Sequence, residues 1–291
     1  MKKYLISLLV IINGLILIIG CSSSTGVNGT GTLSIQLTDG PLNTENVSAV
    51  MVKFKEIRFN YAGDNLPYVT FKEYGENQGI FNLMNLQDGL TTEMGTKQLD
   101  AGVYSHTRII LDPDYNHHIV INGEQKDLEL TSSNEGGYFP TGHIELAGSF
   151  HIDEGIETRL ILDFDVRKSV VDKSGLYKLH PAMRLIEEDV TGALDVQLIN
   201  IPESVDHIIG YLYTAGSFDE FTEKGNDFAN SITSDTPDEG NLLEFDYIEE
   251  GSFTLVVATY DADDNILDVF TKEVTITNGI TNDVDFDFNN Y

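Results

Sequence analysis

From Gly31 onward, apolar residues recur at every second position in short runs: Leu33, Ile35 and Leu37; Val50, Val52 and Phe54; Ile109 and Leu111; Leu160, Leu162, Phe164 and Val166. Successive side chains of an extended chain point to opposite faces, so each run writes one apolar and one polar face. No window with helical spacing competes. Clusters of Gly, Asn and Asp separate the runs, which is the punctuation of antiparallel sandwiches and barrels. Helix is confined to Phe218–Phe228 and the stretch Asn82–Leu86. Hydrophobic residues make up 41% of the chain, with 15 Phe and 13 Tyr, enough for a packed core rather than a disordered acidic body.

The chain also repeats itself. Gly31-Thr32-Leu33-Ser34-Ile35-Gln36-Leu37 with Pro41 aligns with Gly192-Ala193-Leu194-Asp195-Val196-Gln197-Leu198 with Pro202, each pair 161 positions apart. Leu99-Asp100-Ala101-Gly102-Val103-Tyr104 aligns with Ile248-Glu249-Glu250-Gly251-Ser252-Phe253 at an offset of 149. Each is followed by an apolar run and then an acidic turn, Asp112-Pro113-Asp114-Tyr115-Asn116 and Asp261-Ala262-Asp263-Asp264-Asn265. Two matches in the same order indicate duplication, with a first domain over 31–189 and an acidic second domain over 190–291.

Ahead of these domains, Lys2 and Lys3 precede an apolar run from Tyr4 to Gly20, the pattern of a secretory signal peptide over 1–20. The run ends Leu17-Ile18-Ile19-Gly20-Cys21, which resembles a bacterial lipobox, and Cys21 is the chain's only cysteine. The resemblance implies lipidation of Cys21, and several acyl chains on one residue exceed what stable membrane anchoring needs. Residues 21–30 are rich in Ser, Thr and Gly, the composition of a flexible tether. The expected location is a bacterial membrane lipoprotein, exported, either facing the periplasm or at the cell surface. A single cysteine also excludes an intrachain disulfide.

The charge narrows the partners. Against 17 Lys and Arg the chain carries 47 Asp and Glu, a net charge of −30, so no nucleic acid is expected to bind it electrostatically. Residues 192–291 hold 22 acidic and 2 basic side chains, net −20, and residues 1–191 hold 25 and 15, net −10. Like charge at that density favours bound or screening cations.

Four ordered motifs in the first domain resemble the bacterial envelope family called domain of unknown function 4382. They are Leu33-x-Ile35-x-Leu37-Thr38-Asp39-Gly40-Pro41, Leu99-x-Ala101-Gly102-x-Tyr104-x-x-x-Arg108, Leu162-Asp163-Phe164-Asp165-x-x-x-Ser169 and Leu179-x-Pro181-x-x-Arg184. The likeness covers about residues 31–187 and attaches no activity. Its motif residues include Asp39, Gly102, Tyr104, Asp163, Asp165 and Pro181. Through Gly192–Leu198 and Gly251-x-Phe253-x-Leu255 the second domain resembles a transthyretin-like or carboxypeptidase-regulatory-like sandwich. The expected fold class is therefore all-β, with two antiparallel β-sandwich domains, transthyretin-like or Ig-like, after the signal peptide.

Several residues are candidates for chemistry. Asp112, Asp114 and Asn116, and likewise Asp261, Asp263 and Asn265, have the D-x-D-x-N spacing with which oxygen ligands converge on Ca²⁺ from a tight loop. Neither loop completes an EF-hand, because His117 or Ile266 replaces its turn glycine and Gly123 or Lys272 its final Glu. The same residues are what hairpin turns select, and the turn reading is the stronger. Asp163 and Asp165, two apart in one strand, share a face and are candidates for acid and base together with Asp39. The competing reading is an outward polar face tied to Arg108, Arg159 or Arg184. His117 and His118 face opposite ways, whereas His143 and His151 would meet across a hairpin. Tyr61, Tyr68, Phe71 and Tyr74 flank a Gly- and Asn-containing segment that would stack on sugars or a protein if exposed. Zincin, α/β-hydrolase and P-loop signatures are absent.

These features point to a lipid-anchored envelope protein whose two sandwich domains form a non-catalytic binding or assembly module, with a glycan or another envelope protein as partner. Two alternatives stand beside it. One is a glycan-active or other hydrolytic lipoprotein using Asp163 and Asp165. The other is a fimbria-like subunit donating the alternating tail Asp283–Tyr291 as a strand.

Overall fold

The computed structural model describes residues 29–40, 46–62, 67–87, 89–130 and 143–291. The signal peptide, Cys21 and nearly all of the 21–30 tether lie outside the described residues. The first half contains β1 (Thr30–Thr38), β2 (Val47–Tyr61), β3 (Val69–Glu73), β4 (Ile80–Asn82), β5 (Thr92–Asp100), β6 (Gly102–Leu111), β7 (His118–Ile121), β8 (Glu124–Leu130), β9 (Ile144–Ile152) and β10 (Glu157–Asp165). A single helical turn, α1 (Val166–Ser169), then leads to β11 (Val170–Lys173), β12 (Leu176–Leu179) and β13 (Ala182–Glu187). The second half contains β14 (Thr191–Ile199), β15 (His207–Thr214), α2 (Glu220–Lys224), β16 (Thr233–Asp235), β17 (Leu242–Glu249), β18 (Gly251–Tyr260), β19 (Ile266–Ile276) and β20 (Thr281–Asp287).

These strands form four sheets, so the chain is all-β. One four-stranded sheet has the order β13-β10-β1-β5; it faces a nine-stranded sheet running β11-β12-β8-β7-β2-β6-β9, with β3 and β4 also paired to β2. In the second half β17-β14-β20 accompanies β16-β15-β18-β19. Inward residues of β1 and β10 (Leu33, Ile35, Leu37, Leu160, Leu162, Phe164) join Val52, Phe54 and Phe59 of β2 in one core. Leu194, Val196, Leu198, Leu255 and Phe286 belong to the second. Three of the four sheets are mixed, which corrects the purely antiparallel expectation: β1 pairs with β10, β8 with β12, and β14 with β20 in parallel. Alternation specifies which face a side chain takes, and it carries no information about strand direction.

The duplication is present in the hydrogen bonds. In each half a central strand, β1 or β14, has an antiparallel neighbour (β5 or β17) and a parallel one (β10 or β20). Thr32 N donates to Ile156 O at 2.9 Å and Gly155 N to Thr30 O at 3.0 Å; Ala193 N donates to Ile280 O at 3.0 Å and Gly279 N to Thr191 O at 2.8 Å. A Cβ on Gly31 would stand 2.2 Å from Asp153 O, and one on Gly192 2.2 Å from Thr277 O. The repeated glycines are therefore required by the same close approach of backbone to backbone. Across these partner strands the offset between copies is 124.

The halves meet on the outer face of the first four-stranded sheet. Ile161 and Ile186, register partners on β10 and β13, point away from the first core yet are 0% and 3% exposed. Ile186 lines a cleft of about 400 Å³ with Ile232, Ile248 and Phe253 of the second half. On the matching face of the second half, Asp283 and Asp285 stand at the positions of Arg159 and Ile161, and both are exposed.

Candidate functional site

Three of the four family motifs meet at one end of the β13-β10-β1-β5 sheet, and parallel pairing explains why. Thr38 on β1 is the register partner of Asp163 on β10, so Asp39 leaves β1 beside the start of α1. Asp39 Oδ1 accepts from Val166 N at 3.0 Å. Asp165 caps the same turn, its Oδ1 accepting from Lys168 N at 2.9 Å, as an N-cap carboxylate does. Ser169 Oγ donates to Asp165 O at 2.5 Å and accepts from Ala182 N at 2.8 Å. Asp163 Oδ2 accepts from Arg184 Nε at 2.6 Å. Pro181, just ahead of β13, is buried here as well.

Asp39 lies near Asp163 and Asp165, but the three acids serve different contacts. Val166, which alternation extends into the strand, instead opens α1 because Asp165 caps a turn there. Asp39 is 3% exposed and Asp163 5% exposed. Burial pushes the Asp39 carboxyl well above the usual carboxylate range; the Val166 N–H opposes this, and nearby Asp163 and Asp165 add to the rise. The adjoining cavity, lined by Thr38, Asp39, Asp163, Thr233, Asp246 and Tyr247 among others, holds about 30 Å³. That volume admits a water-sized occupant and is an order of magnitude below a substrate pocket. Of the three arginines weighed as partners, Arg184 takes Asp163, while Arg159 pairs with Glu188 at 3.0 Å and Arg108 with Glu145 at 2.9 Å.

Between Asp165 and Ser169, two cations reach across to the second half. Arg167 Nη1 donates to Asp227 O at 3.1 Å, and its Nη2 to Ser231 Oγ at 2.7 Å. Lys168 Nζ donates to Ser231 O. The Arg167 guanidinium also lies 5.4 Å from the Tyr211 ring centroid. Sequence reasoning did not single out these residues; the signal was two adjacent cations in a motif followed by a half with net charge −20.

The remaining motif is at the far end. Tyr104 is fully buried, donates to Asp100 O at 2.9 Å, and stacks between Tyr61 and Phe150 at 4.4 and 5.3 Å. This ties the β5–β6 corner by a tyrosine hydroxyl, the device used at sandwich corners elsewhere. Gly102, with φ of 151°, opens β6.

Both acidic loops are turns bonded to themselves; the Asp261 loop closes the β18–β19 hairpin, whereas the Asp112 loop joins β6 to β7, which both pair with β2 and not with each other. Asp112 Oδ1 accepts from Asp114 N at 3.1 Å, and its other oxygen meets buried Lys53 Nζ at 2.7 Å, which holds the Asp112 carboxyl below its usual range. Asn116 O accepts from the His118 ring at 2.9 Å. Asp261 Oδ1 accepts from Asp263 N at 3.0 Å and Asn265 N at 2.9 Å. Among the described residues, no group of three or more His, Cys, Asp or Glu side chains is arranged to hold a metal ion. His143 and His151 do not face each other across a hairpin, because they flank and occupy one strand, β9; each sits 3.1 Å from an acid two residues on, Glu145 or Asp153. The four aromatics are spent on packing: Tyr61 on Tyr104, Phe71 in the core, Tyr74 on Met94 O, and Tyr68 under Arg108 and against Glu145. Asp283 and Phe286 of the tail pair in parallel with β14 of their own chain. No helix among the described residues is long and apolar enough to cross a membrane.

Comparison with known proteins agrees with the motif reading. No curated protein matches the chain. Among solved structures, the chain is similar to the Bacillus anthracis TIE protein at 15% identity and a TM-score of 0.23, covering 89% of this chain and 34% of that one. The chain thus spans about a third of that protein's length. It is also similar to the minor pilin GBS52 of Streptococcus agalactiae (9% identity, 87% and 94% covered, TM-score 0.23). A putative adhesin from Bacteroides ovatus matches at 10% identity, with 89% and 93% covered and a TM-score of 0.24. TM-scores of this size carry no argument about family or function. A family model matches residues 30–181, from the start of β1 to the buried proline beside α1, and the chain belongs to the family described as Domain of unknown function (DUF4382).

Proposed function

We propose that this is an exported bacterial envelope lipoprotein, anchored through Cys21, whose two β-sandwich domains over 31–189 and 190–291 act as a non-catalytic binding or assembly module. The second domain is read as transthyretin-like. The observation that carries the non-catalytic reading is how the motif acids are used. Asp165 caps α1, Asp163 is tied to Arg184, and Asp39 is buried on the Val166 N–H, beside a cavity too small for a substrate. The motif residues build a joint that holds two sandwiches together, and recognition falls to loops presented on that frame. A glycan or another envelope protein is the partner in this reading.

Mass spectrometry of mature protein from its native host tests the anchor: acylated Cys21 is expected, and an unmodified thiol refutes the location. Glycan-array binding without sugar release supports the module. Sugar release abolished by Asp163→Ala establishes an enzyme in its place.

A further inference from the structure

The second copy shows what is missing from the first. Thr38 and Asp163, register partners on β1 and β10, correspond to Ile199 and Asp287, register partners on β14 and β20. The next residue along the first strand, Asp39, corresponds to Asn200 at the same offset of 161. In the second copy Asn200 donates from Nδ2 to Asp287 Oδ1 at 2.8 Å. In the first copy both positions are acids. The Val166 N–H occupies Asp39 Oδ1 and the Arg184 guanidinium occupies Asp163 Oδ2. Asp39 Oδ2 and Asp163 Oδ1 are left buried with no hydrogen-bond partner. Ionised carboxylates only accept, so the arrangement lacks one donated hydrogen.

We propose that Asp39 and Asp163 form a buried proton-binding site in which a single proton, carried on Asp39 Oδ2, is donated to Asp163 Oδ1 and replaces the amide hydrogen that Asn200 supplies in the other copy. A protonated aspartate has the shape and donor capacity of asparagine, so one proton satisfies both orphaned oxygens. The proton is placed on Asp39 because Arg184 is bonded to Asp163, while no cation among the described residues is bonded to Asp39. The groups facing Asp39 act both ways: burial and the neighbouring acids favour the proton, while the Val166 N–H and the Gln87 amide favour the anion. From β10 come Asp163 and Asp165, the latter shared with Lys168 of α1 at 3.1 Å; β13 brings Arg184; the segment before β5 brings the Gln87 amide; across the cavity β17 brings Glu244 and Asp246. A proton fits better than a metal ion, since no third His, Cys, Asp or Glu among the described residues completes a ligand set. The site lies where β1 leaves the first sheet beside the second half, so losing the proton adds a further negative charge to the joint.

The sign of the effect follows from burial. Asp39 holds its proton more tightly folded than unfolded, so this contribution is complete below the unfolded carboxyl value near 4 and is lost as pH rises through the folded value. The test is the unfolding equilibrium constant of the mature protein from pH 4 to 9 in EDTA, for wild type and Asp39→Asn. Within that window wild-type stability is expected to fall by up to about tenfold per pH unit relative to Asp39→Asn, with the variant the more stable at the alkaline end. On wild type alone, the carboxyl ¹³C signals of labelled aspartate should include one that titrates above the usual range, which keeps the test valid if the variant does not fold. Equal pH slopes in the two proteins, or no such aspartate signal, overturn the proposal. Stabilisation of wild type by CaCl₂ at pH 7 that Asp39→Asn abolishes also overturns it, because a cation would then join the two acids.

Discussion

Arg184→Met is the sharpest probe of the joint. The substitution keeps most of the aliphatic stem that lines the cleft and removes the guanidinium bonded to Asp163 at 2.6 Å. Asp163's side chain is 6% exposed and Arg184's 29%, so the change strands a buried carboxylate. Breaking a buried pair by removing one partner costs about 3–5 kcal/mol, and the partial exposure of Arg184 points to the lower end, about 3 kcal/mol. For a unit of this size that is a fall in Tm of roughly 6–12 °C. Urea denaturation followed by circular dichroism, in EDTA, measures it. Asp163→Asn together with Arg184→Met should recover most of the loss, since the double variant buries no charge. A loss below about 1 kcal/mol, the range of an exposed surface pair, refutes the argument. So does a double variant no better than the single, because the two residues would then be energetically uncoupled.

Gly31→Ala and Gly192→Ala should each destabilise at or beyond the top of the roughly 1–3 kcal/mol range for overpacking, because a backbone oxygen waits 2.2 Å from each new Cβ; chemical denaturation of the two variants checks this. Tyr104→Phe removes the 2.9 Å bond to Asp100 O while keeping both stacked rings, and should cost about 1 kcal/mol by the same measurement. Arg167→Ala should free the 227–231 segment, whose carbonyls it holds, and limited proteolysis should then cut there faster than in wild type with the first half still intact.

Local constraints were legible from residues alone. The Gly31 and Gly192 runs aligned because one backbone crossing, repeated in each half, admits no side chain. The Asp112 and Asp261 turns aligned because an aspartate bonding its own loop is a short-range arrangement. Helix expected over Phe218–Phe228 contracts to Glu220–Lys224; Phe218 and Phe228 turn inward onto Tyr213 and Tyr211, and Phe221 stays 92% exposed. Long-range features were not legible. Strand direction, the grip of Arg167 on the other half, and the opposition of Asp39 to Asp163 depend on which distant strands are neighbours. Once the register was known, the Asp39–Asn200 correspondence emerged from the same offset that aligned the glycines.

The face on which the second half rests also sets a limit on the architecture. Ile161 lies buried there, whereas its counterpart Asp285 and the adjacent Asp283 face water. A third unit laid on the second in the same manner would have to dehydrate Asp285 where buried Ile161 sits in the first, a penalty of several kcal/mol for the ion. The apolar seat that the first half offers the second is thus replaced, on the second half's matching face, by carboxylates that favour water.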